Sequence, residues 1–164
     1  QIDSIRGYNE ESAMQRYRLN MLLGNTRRAI YEIERYLDND PENYQFQVFR
    51  LQLYEQTKQS QGKMIEAYEA VLKFDSRNLM LMNNLAWNLC ISGGDLKGAE
   101  ELSRITIMSE PSNPIYLDTY AWIMYHMKDY ESALFYIQRA MVYETAETSK
   151  EIKMHYKKIK RKQK

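Results

Sequence analysis

The side chains that most often carry catalysis are sparse in this sequence of 164 residues. Its only histidines are His126 and His155, and its single cysteine is Cys90. Two histidines are too few for a conventional catalytic triad, and no group of Cys and His residues has the spacing of a zinc site. Gly93 and Gly94 are not followed by Lys and Ser or Thr, so they do not form a phosphate-binding loop. The sequence therefore predicts no catalytic residue, no metal site and no cofactor.

These isolated side chains have simpler explanations. We expect His126 to be a solvated residue near a helix end, and Cys90 to be a small packing residue rather than a reactive thiol. Only six glycines and three prolines are present, so turns are few and the elements between them are long. This scarcity favours helices.

A repeat of 34 to 35 residues organises the chain. Ala99 and Ala133 are 34 residues apart, whereas Leu85-Ala86-Trp87 and Tyr120-Ala121-Trp122 are 35 apart. A polar or glycine-containing turn precedes each of four similar segments, at Gly24-Asn25, Gln61-Gly62, Gly94-Asp95 and Lys128-Asp129. Periods of this length are typical of stacked repeat proteins.

Within each repeat the apolar residues have helical spacing. Leu117, Tyr120, Ala121 and Met124 follow the pattern i, i+3, i+4, i+7, and a second stripe begins at Ala133. Each repeat is therefore predicted to be two antiparallel helices. One such pair cannot bury its apolar face alone, so neighbouring pairs must stack into a solenoid. Small residues are expected where two helices cross closely, at Ala86, Ala121, Ala133 and Ala140.

These residues resemble the tetratricopeptide repeat family. The last repeat supplies Leu117, Tyr120, Ala121, Met124, Ala133, Ile137 and Ala140 at the positions of the family pattern. The resemblance implies an all-α, right-handed α–α superhelix of about four helix pairs plus a C-terminal capping helix. It divides residues 1–147 into units of about 10–43, 44–78, 79–113 and 114–147, followed by a basic segment at 148–164. The stretches around Trp87 and Trp122 also resemble bacterial proteins of the Bacteroidetes type.

In such an array, the first helix of each pair lines the concave face. Asn and Gln side chains there can pair with the backbone of a peptide, and aromatic side chains can provide anchor pockets. The resemblance therefore implies a protein- or peptide-binding face formed by Phe49, Gln52, Asn83, Asn84, Trp87, Asp118, Thr119, Trp122 and Tyr125. This face has almost no Lys or Arg, which disfavours a nucleic-acid backbone as ligand.

Structural roles for the same residues remain open alternatives. Trp87 and Trp122 occupy equivalent repeat positions and can pack against each other's helices, while Asp118 can cap or form a salt bridge within its own helix. A clamp for chaperone C-terminal tails is disfavoured. Asn84 matches one of its five positions, but the other four are occupied by Val48, Gln52, Ile115 and Thr119.

The C-terminal segment differs in charge from the rest of the chain. Residues 148–164 contain eight Lys or Arg and one Glu, a net charge of +7, which leaves −6 for the remainder. Ile152, Tyr156 and Ile159 have the spacing of an amphipathic helix. The segment is read as a solvating cap of the solenoid, with three alternatives: the start of a fifth repeat, an electrostatic contact with nucleic acid or an anionic membrane, or an irrelevant frayed end.

Taken together, the sequence predicts a non-catalytic scaffold whose partner is a protein or peptide, with no small-molecule substrate. The alternative is a structural segment of a longer repeat protein that acts by self-association as a homo-oligomer. No apolar run approaches the roughly 18 residues needed to span a bilayer, so membrane attachment requires an anchor outside this sequence. Because the first residue is Gln1, we expect a processed or excised fragment. The resemblance implies a periplasmic or outer-membrane-anchored location, and a cytoplasmic one stays open.

Overall fold

A computed structural model describes residues 8–162, and every regular element in that range is an α-helix. Two compact units divide the chain, Gln1–Asp75 and Ser76–Lys164. The first contains α1 (Glu10–Leu22), α2 (Thr26–Leu37), α3 (Tyr44–Thr57) and α4 (Gln61–Leu72). The second contains α5 (Leu79–Ile91), α6 (Leu96–Ser109), α7 (Pro114–His126), α8 (Tyr130–Tyr143) and α9 (Ser149–Lys160). Four helix pairs followed by α9 confirm the predicted fold class.

The first helix of every pair begins after an asparagine, which is Asn9 for α1, and the last three of these residues are evenly spaced. These N-caps, Asn43, Asn78 and Asn113, are 35 residues apart. Their Oδ1 atoms accept hydrogen bonds from the backbone N–H groups of Phe46, Leu81 and Tyr116, at 3.2, 3.0 and 3.4 Å. Each bond satisfies one of the N–H groups that have no partner within the helix. The 35-residue period therefore fixes where the first helices start.

The turn inside each pair also repeats its geometry. One residue in each turn has a positive φ: Gly24 at 70°, Lys58 at 51°, Gly93 at 70° and Lys128 at 67°. A left-handed residue at the end of a helix reverses the chain and allows the second helix to pack against the first. Glycine adopts this conformation without strain, whereas lysine does not.

Small residues lie where the helices of a pair meet. Ala86, Ala121, Ala133 and Ala140 are fully buried, so neighbouring helices approach closely at these points. In the C-terminal unit, the hydroxyl of Tyr120 on α7 donates a hydrogen bond of 2.9 Å to Glu100 Oε1 on α6. In the N-terminal unit, the hydroxyl of Tyr54 on α3 donates a hydrogen bond to the carboxylate of Glu34 on α2. Each bond joins a first helix to the second helix of the preceding pair.

The helix α9 continues the repeat. Thr148 lies 35 residues after Asn113 and is the N-cap of α9, so this helix takes the position of a fifth first helix. It contacts α8 and α7 and buries Ile152, His155 and Ile159. The function of residues 148–164 as a cap stays a prediction. No helix within residues 8–162 is both long enough and apolar enough to cross a membrane.

Candidate functional site

Seven of the nine predicted binding residues belong to the C-terminal unit. Helix α5 carries Asn83, Asn84 and Trp87, and α7 carries Asp118, Thr119, Trp122 and Tyr125. Residues three and four apart lie on the same side of a helix, so each set occupies one face. The face of α5 and the face of α7 meet at a common surface because the two helices contact each other.

The N-terminal unit holds the other two predicted residues. Phe49 on α3 is half-buried and stacks on Tyr17 with ring centroids 5.0 Å apart, whereas Gln52 is exposed. Phe49 also lines a cavity of about 620 Å³ together with residues of α1. A ligand contact by Phe49 or Gln52 stays a prediction, and the site below concerns the C-terminal unit alone.

One cavity of about 190 Å³ collects most of the predicted residues. Its lining consists of Asn83, Asn84, Trp87, Ile115, Asp118 and Thr119 from α5 and α7, and Glu151 from α9. The lining contains two carboxylates and no Lys or Arg. Glu151 was not among the predicted site residues, since the sequence alone does not show that α9 adds a wall to this cavity.

Two side chains of the site form a buried polar pair. His155 Nδ1 on α9 lies 2.8 and 2.9 Å from the two carboxylate oxygens of Asp118 on α7. His155 is 2% exposed and Asp118 is 7% exposed, so water screens their interaction little. Asp118 therefore pairs with a different helix, not with its own. Within residues 8–162 the hydrogen bonds of the His155 ring go to Asp118 alone.

An aromatic cluster surrounds this pair. The His155 ring stacks on Trp122 with centroids 4.0 Å apart and planes inclined by 23°, and its centroid lies 5.8 Å from that of Trp87. Trp122 in turn stacks on Tyr125 at 5.0 Å and meets His126 edge-on at 5.2 Å. Both tryptophans thus pack on the same histidine. Trp122 is buried, whereas Trp87 and Tyr125 remain half-exposed.

The exposed rim of the aromatic cluster is basic. A second cavity, of about 510 Å³, is lined by Trp122, Tyr125, His126, Lys158, Arg161 and Lys162. Lys158 Nζ lies 5.2 Å from the centroid of a Trp122 ring, within the range of a cation–π interaction. Burial lowers the pKa of His126, and the nearby His155 and Lys158 lower it further. His126 is therefore predominantly neutral at pH 7, and the positive charge comes from Lys158 on α9 and from Arg161 and Lys162 just after it.

Asn83 and Asn84 differ in their surroundings. Asn83 is 4% exposed, and its Oδ1 has no hydrogen-bond partner among the described residues. Asn84 is half-buried, and its Oδ1 accepts a weak hydrogen bond of 3.5 Å from Asn83 Nδ2. Buried acceptors without a partner are rare in folded proteins. The Asn83 oxygen is therefore a point where a bound group can donate a hydrogen bond.

Cys90 lies in the core of the same unit. It is 1% exposed and packs in the apolar cluster that includes Ala86, Leu117 and Ala121. Burial raises the pKa of the Cys90 thiol to about 12. The thiol is thus protonated at neutral pH and is not a nucleophile.

Neither a protein-family model nor a curated protein sequence matches the chain. Solved structures do match it. MamA from Desulfovibrio magneticus RS-1 is 10% identical, with a TM-score of 0.64 over 93% of this chain and 94% of that protein. MamA MSR-1 is 17% identical, with a TM-score of 0.68 over 87% and 79%.

PilW, described as a widely conserved type IV pilus biogenesis factor, is 19% identical with a TM-score of 0.55. The match covers 82% of this chain but only 62% of PilW. At these identities the likeness concerns the fold and not the function. Helix pairs, repeat spacing and these structural matches together identify the chain as a protein with the tetratricopeptide-like fold.

Proposed function

We propose that this chain is a non-catalytic scaffold that binds an acidic segment of a partner protein through its C-terminal unit. The observation that supports this most directly is the second cavity, where aromatic rings from α7 lie beside three cations from the C-terminal end of α9 and the two residues that follow it. Arg161, Lys162 and Lys158 are exposed, so their charges are available to a ligand. The half-exposed ring of Tyr125 offers an apolar surface next to them.

The chemistry of the rim suits a peptide that alternates carboxylates with apolar side chains. Carboxylates bind to Lys and Arg through charge-assisted hydrogen bonds, and apolar side chains pack on Tyr and Trp. Asn84 and Trp87, on the adjacent face of α5, extend the surface with an amide that can pair with a peptide backbone. The basic residues of α9 thus supply the charge that the faces of α5 and α7 lack.

A single-stranded nucleic acid would also bind stacked rings and cations, but the neighbouring cavity argues against it. That cavity contains Asp118 and Glu151 and no basic residue, so a phosphate backbone continuing from the rim would meet negative charge. An extended peptide would place backbone amide and carbonyl groups there instead. These groups can form hydrogen bonds with the side chains of Asn84 and Thr119.

The two tryptophans give a direct measurement. They are the only ones in the chain, so a 15N spectrum contains two indole N–H signals. We expect a Glu–Leu alternating peptide to shift the Trp122 signal at low salt. The matched Lys–Leu peptide should leave it unchanged, and oligothymidylate should shift it less. Larger shifts with oligothymidylate would identify a nucleic-acid site instead.

Charge-reversal variants test whether the cations that follow α9 provide the binding energy. The double variant Arg161→Glu, Lys162→Glu should bind the Glu–Leu peptide about tenfold more weakly or worse. The reason is that the two original cations attract the carboxylates of the peptide, whereas the new carboxylates repel them. The control replaces Lys150→Glu and Lys157→Glu, which are exposed on α9 but do not line the second cavity. Equal losses in the two double variants would contradict a specific site.

A second candidate function is assembly of copies through the end of the array. Helix α9 takes a first-helix position, and Met154 on it is 48% exposed, which supports a further helix packing there. Light scattering distinguishes this role. A concentration-dependent dimer whose affinity is unchanged by Trp87→Ala and Tyr125→Ala would favour assembly over the binding surface.

We also infer a periplasmic or outer-membrane-anchored location. The resemblance of the Trp87 and Trp122 stretches to bacterial proteins of the Bacteroidetes type supports it, as does the fold likeness to the pilus biogenesis factor PilW. Immunoblotting of fractionated cells tests it, and recovery of the protein with the cytoplasmic fraction would overturn it.

A further inference from the structure

Three potential metal ligands converge beside the smaller cavity. One ligand atom each from Asp118, Glu151 and His155 can be chosen so that all three lie within 4.8 Å of one another. They come from α7 and from two successive turns of α9. Their separation in the sequence explains why ligand spacing along the chain does not reveal them.

The distances are close to those of a coordination sphere. Zinc binds His nitrogen and carboxylate oxygen at about 2.0–2.2 Å, which puts neighbouring ligands of a tetrahedral site roughly 3.3 Å apart. The Asp118–His155 separation of 2.8 Å is slightly below this value, and a Glu151 oxygen lies within 4.8 Å of the other two ligand atoms. Glu151 is exposed, so its side chain is free to move closer to them.

The charge of the site also favours a cation. Two carboxylates face one imidazole, so the group is negative even when His155 carries a proton. No Lys or Arg lines this cavity to compensate. A divalent ion would take the place of the proton that His155 Nδ1 shares with Asp118, and it would neutralise the second carboxylate as well.

Asn83 provides an independent indication. It lines the same cavity, it is 4% exposed, and its Oδ1 lacks a hydrogen-bond partner among the described residues. A metal bound by three protein ligands keeps at least one position for water. Such a water in this cavity would donate a hydrogen bond to the Asn83 oxygen, which accounts for an acceptor that otherwise has none.

We propose that Asp118, Glu151 and His155 bind a divalent first-row transition metal of the zinc class, with Asn83 orienting a metal-bound water. An imidazole ligand selects zinc, cobalt or nickel over magnesium and calcium, which prefer oxygen ligands alone. The open position faces the cavity of about 190 Å³. This cavity adjoins the acidic-segment surface, but the cations of that surface line the other cavity.

Cobalt(II) titration of the apo-protein tests the proposal. Trp87 and Trp122 both adjoin His155, so a paramagnetic ion there should quench their fluorescence saturably. We expect visible absorption bands of a low-coordinate cobalt site at the same stoichiometry of one ion. Zinc should displace the cobalt, magnesium should not, and EDTA should reverse the change.

Glu151→Gln is the decisive variant because the residue is exposed and its replacement preserves the fold. Affinity for cobalt should fall by at least about tenfold, since even the loss of an outer-shell partner costs about 10–100-fold. Asn83→Ala should weaken binding as well. Glu147→Gln, an exposed carboxylate just before α9, and His126→Gln, the other histidine, are matched controls and should bind as the original chain does.

The absence of saturable quenching with cobalt would overturn the metal site. So would equal affinities of the Glu151→Gln and Glu147→Gln variants, because the ion would then be bound elsewhere. Thermal unfolding with EDTA checks that each variant is folded. Failure of the metal site would leave the Glu–Leu peptide measurement unaffected, since that measurement needs no metal.

Discussion

His155 Nδ1 lies 2.8 Å from Asp118 Oδ1, although 37 residues separate the two in the sequence. The pair joins α9 to α7 through a buried polar contact, and the His155 ring also stacks on Trp122 and lies beside Trp87. Because both partners are buried, removing either one leaves a polar group without compensation. The same contact brings the basic end of α9 to the aromatic face of α7.

We expect Asp118→Leu and His155→Phe each to lower the free energy of unfolding by about 3 kcal/mol, because each keeps the bulk of the side chain but leaves its buried polar partner unpaired. The double variant should lose little more than either single variant. Urea denaturation in the presence of EDTA measures these values without a contribution from metal. The control is Lys97→Gln, which breaks the exposed Lys97–Glu101 pair of 3.9 Å and should cost less than about 1 kcal/mol. If the loss in the double variant equalled the sum of the two single losses, the two side chains would not stabilise each other.

Two substitutions at the turn residues should change the free energy of unfolding in opposite directions. Lys128→Gly should raise the free energy of unfolding by about 1 kcal/mol, since glycine adopts a φ of 67° without strain. Gly93→Ala should lower it by about the same amount at a φ of 70°. A Cβ at Gly93 would have no atom within 4 Å, so the loss measures backbone strain and not a clash.

Gly62→Ala is the control for these turn variants. Gly62 lies in α4, a Cβ there would also meet nothing within 4 Å, and alanine has the higher helix propensity. The same substitution should therefore stabilise here, by up to about 1 kcal/mol. Destabilisation at both glycines would point to an unrecognised contact and would contradict the strain argument.

Cys90 should be inert in the native chain. Its pKa of about 12 leaves roughly one thiol in ten thousand ionised at pH 8, and only the thiolate reacts. The raised pKa also means that the thiol favours folding below its unfolded pKa of about 8.5, an advantage that is lost as pH rises toward 12. A disulfide reagent such as Ellman's should label Cys90 only after unfolding in urea. Fast labelling of native protein would show that the thiol is accessible.

The fold could be predicted from the sequence because its determinants are local and repeated. Apolar spacing defines the helices, and the buried Ala86 and Ala121 mark where they cross. The asparagine N-caps carry the same 35-residue period and locate the helix starts more sharply than the turn residues do. Thr148 continues that period, so the position of α9 as a fifth first helix was also open to prediction.

The candidate site was only partly predictable, for a physical reason. The period places Asn83, Asn84, Trp87 and Asp118 on the faces of α5 and α7. It does not specify which side chains of α9 reach them, because that depends on the crossing angle between α7 and α9 and on side-chain rotamers. Asp118 and His155 are 37 residues apart, so local spacing carries no such information. His155 and Glu151 were therefore missed, and so was the position of Lys158 over a Trp122 ring.

The asparagine N-caps should contribute to the free energy of unfolding even where they are partly exposed. Asn113 Oδ1 accepts hydrogen bonds from Ile115 N at 3.0 Å and Tyr116 N at 3.4 Å, and its Nδ2 donates to Glu110 Oε2 at 2.8 Å. Asn113→Ala removes all three bonds at the start of α7 and should lower the free energy of unfolding by about 1–2 kcal/mol. Asn25→Ala is the matched control, since Asn25 is the N-cap of α2 but its side chain makes no capping hydrogen bond. That change should cost only a few tenths of a kcal/mol, and hydrogen exchange should increase in the first turn of α7 but not of α2. Equal losses at the two positions would mean that backbone conformation, and not the side-chain bond, determines where α7 begins.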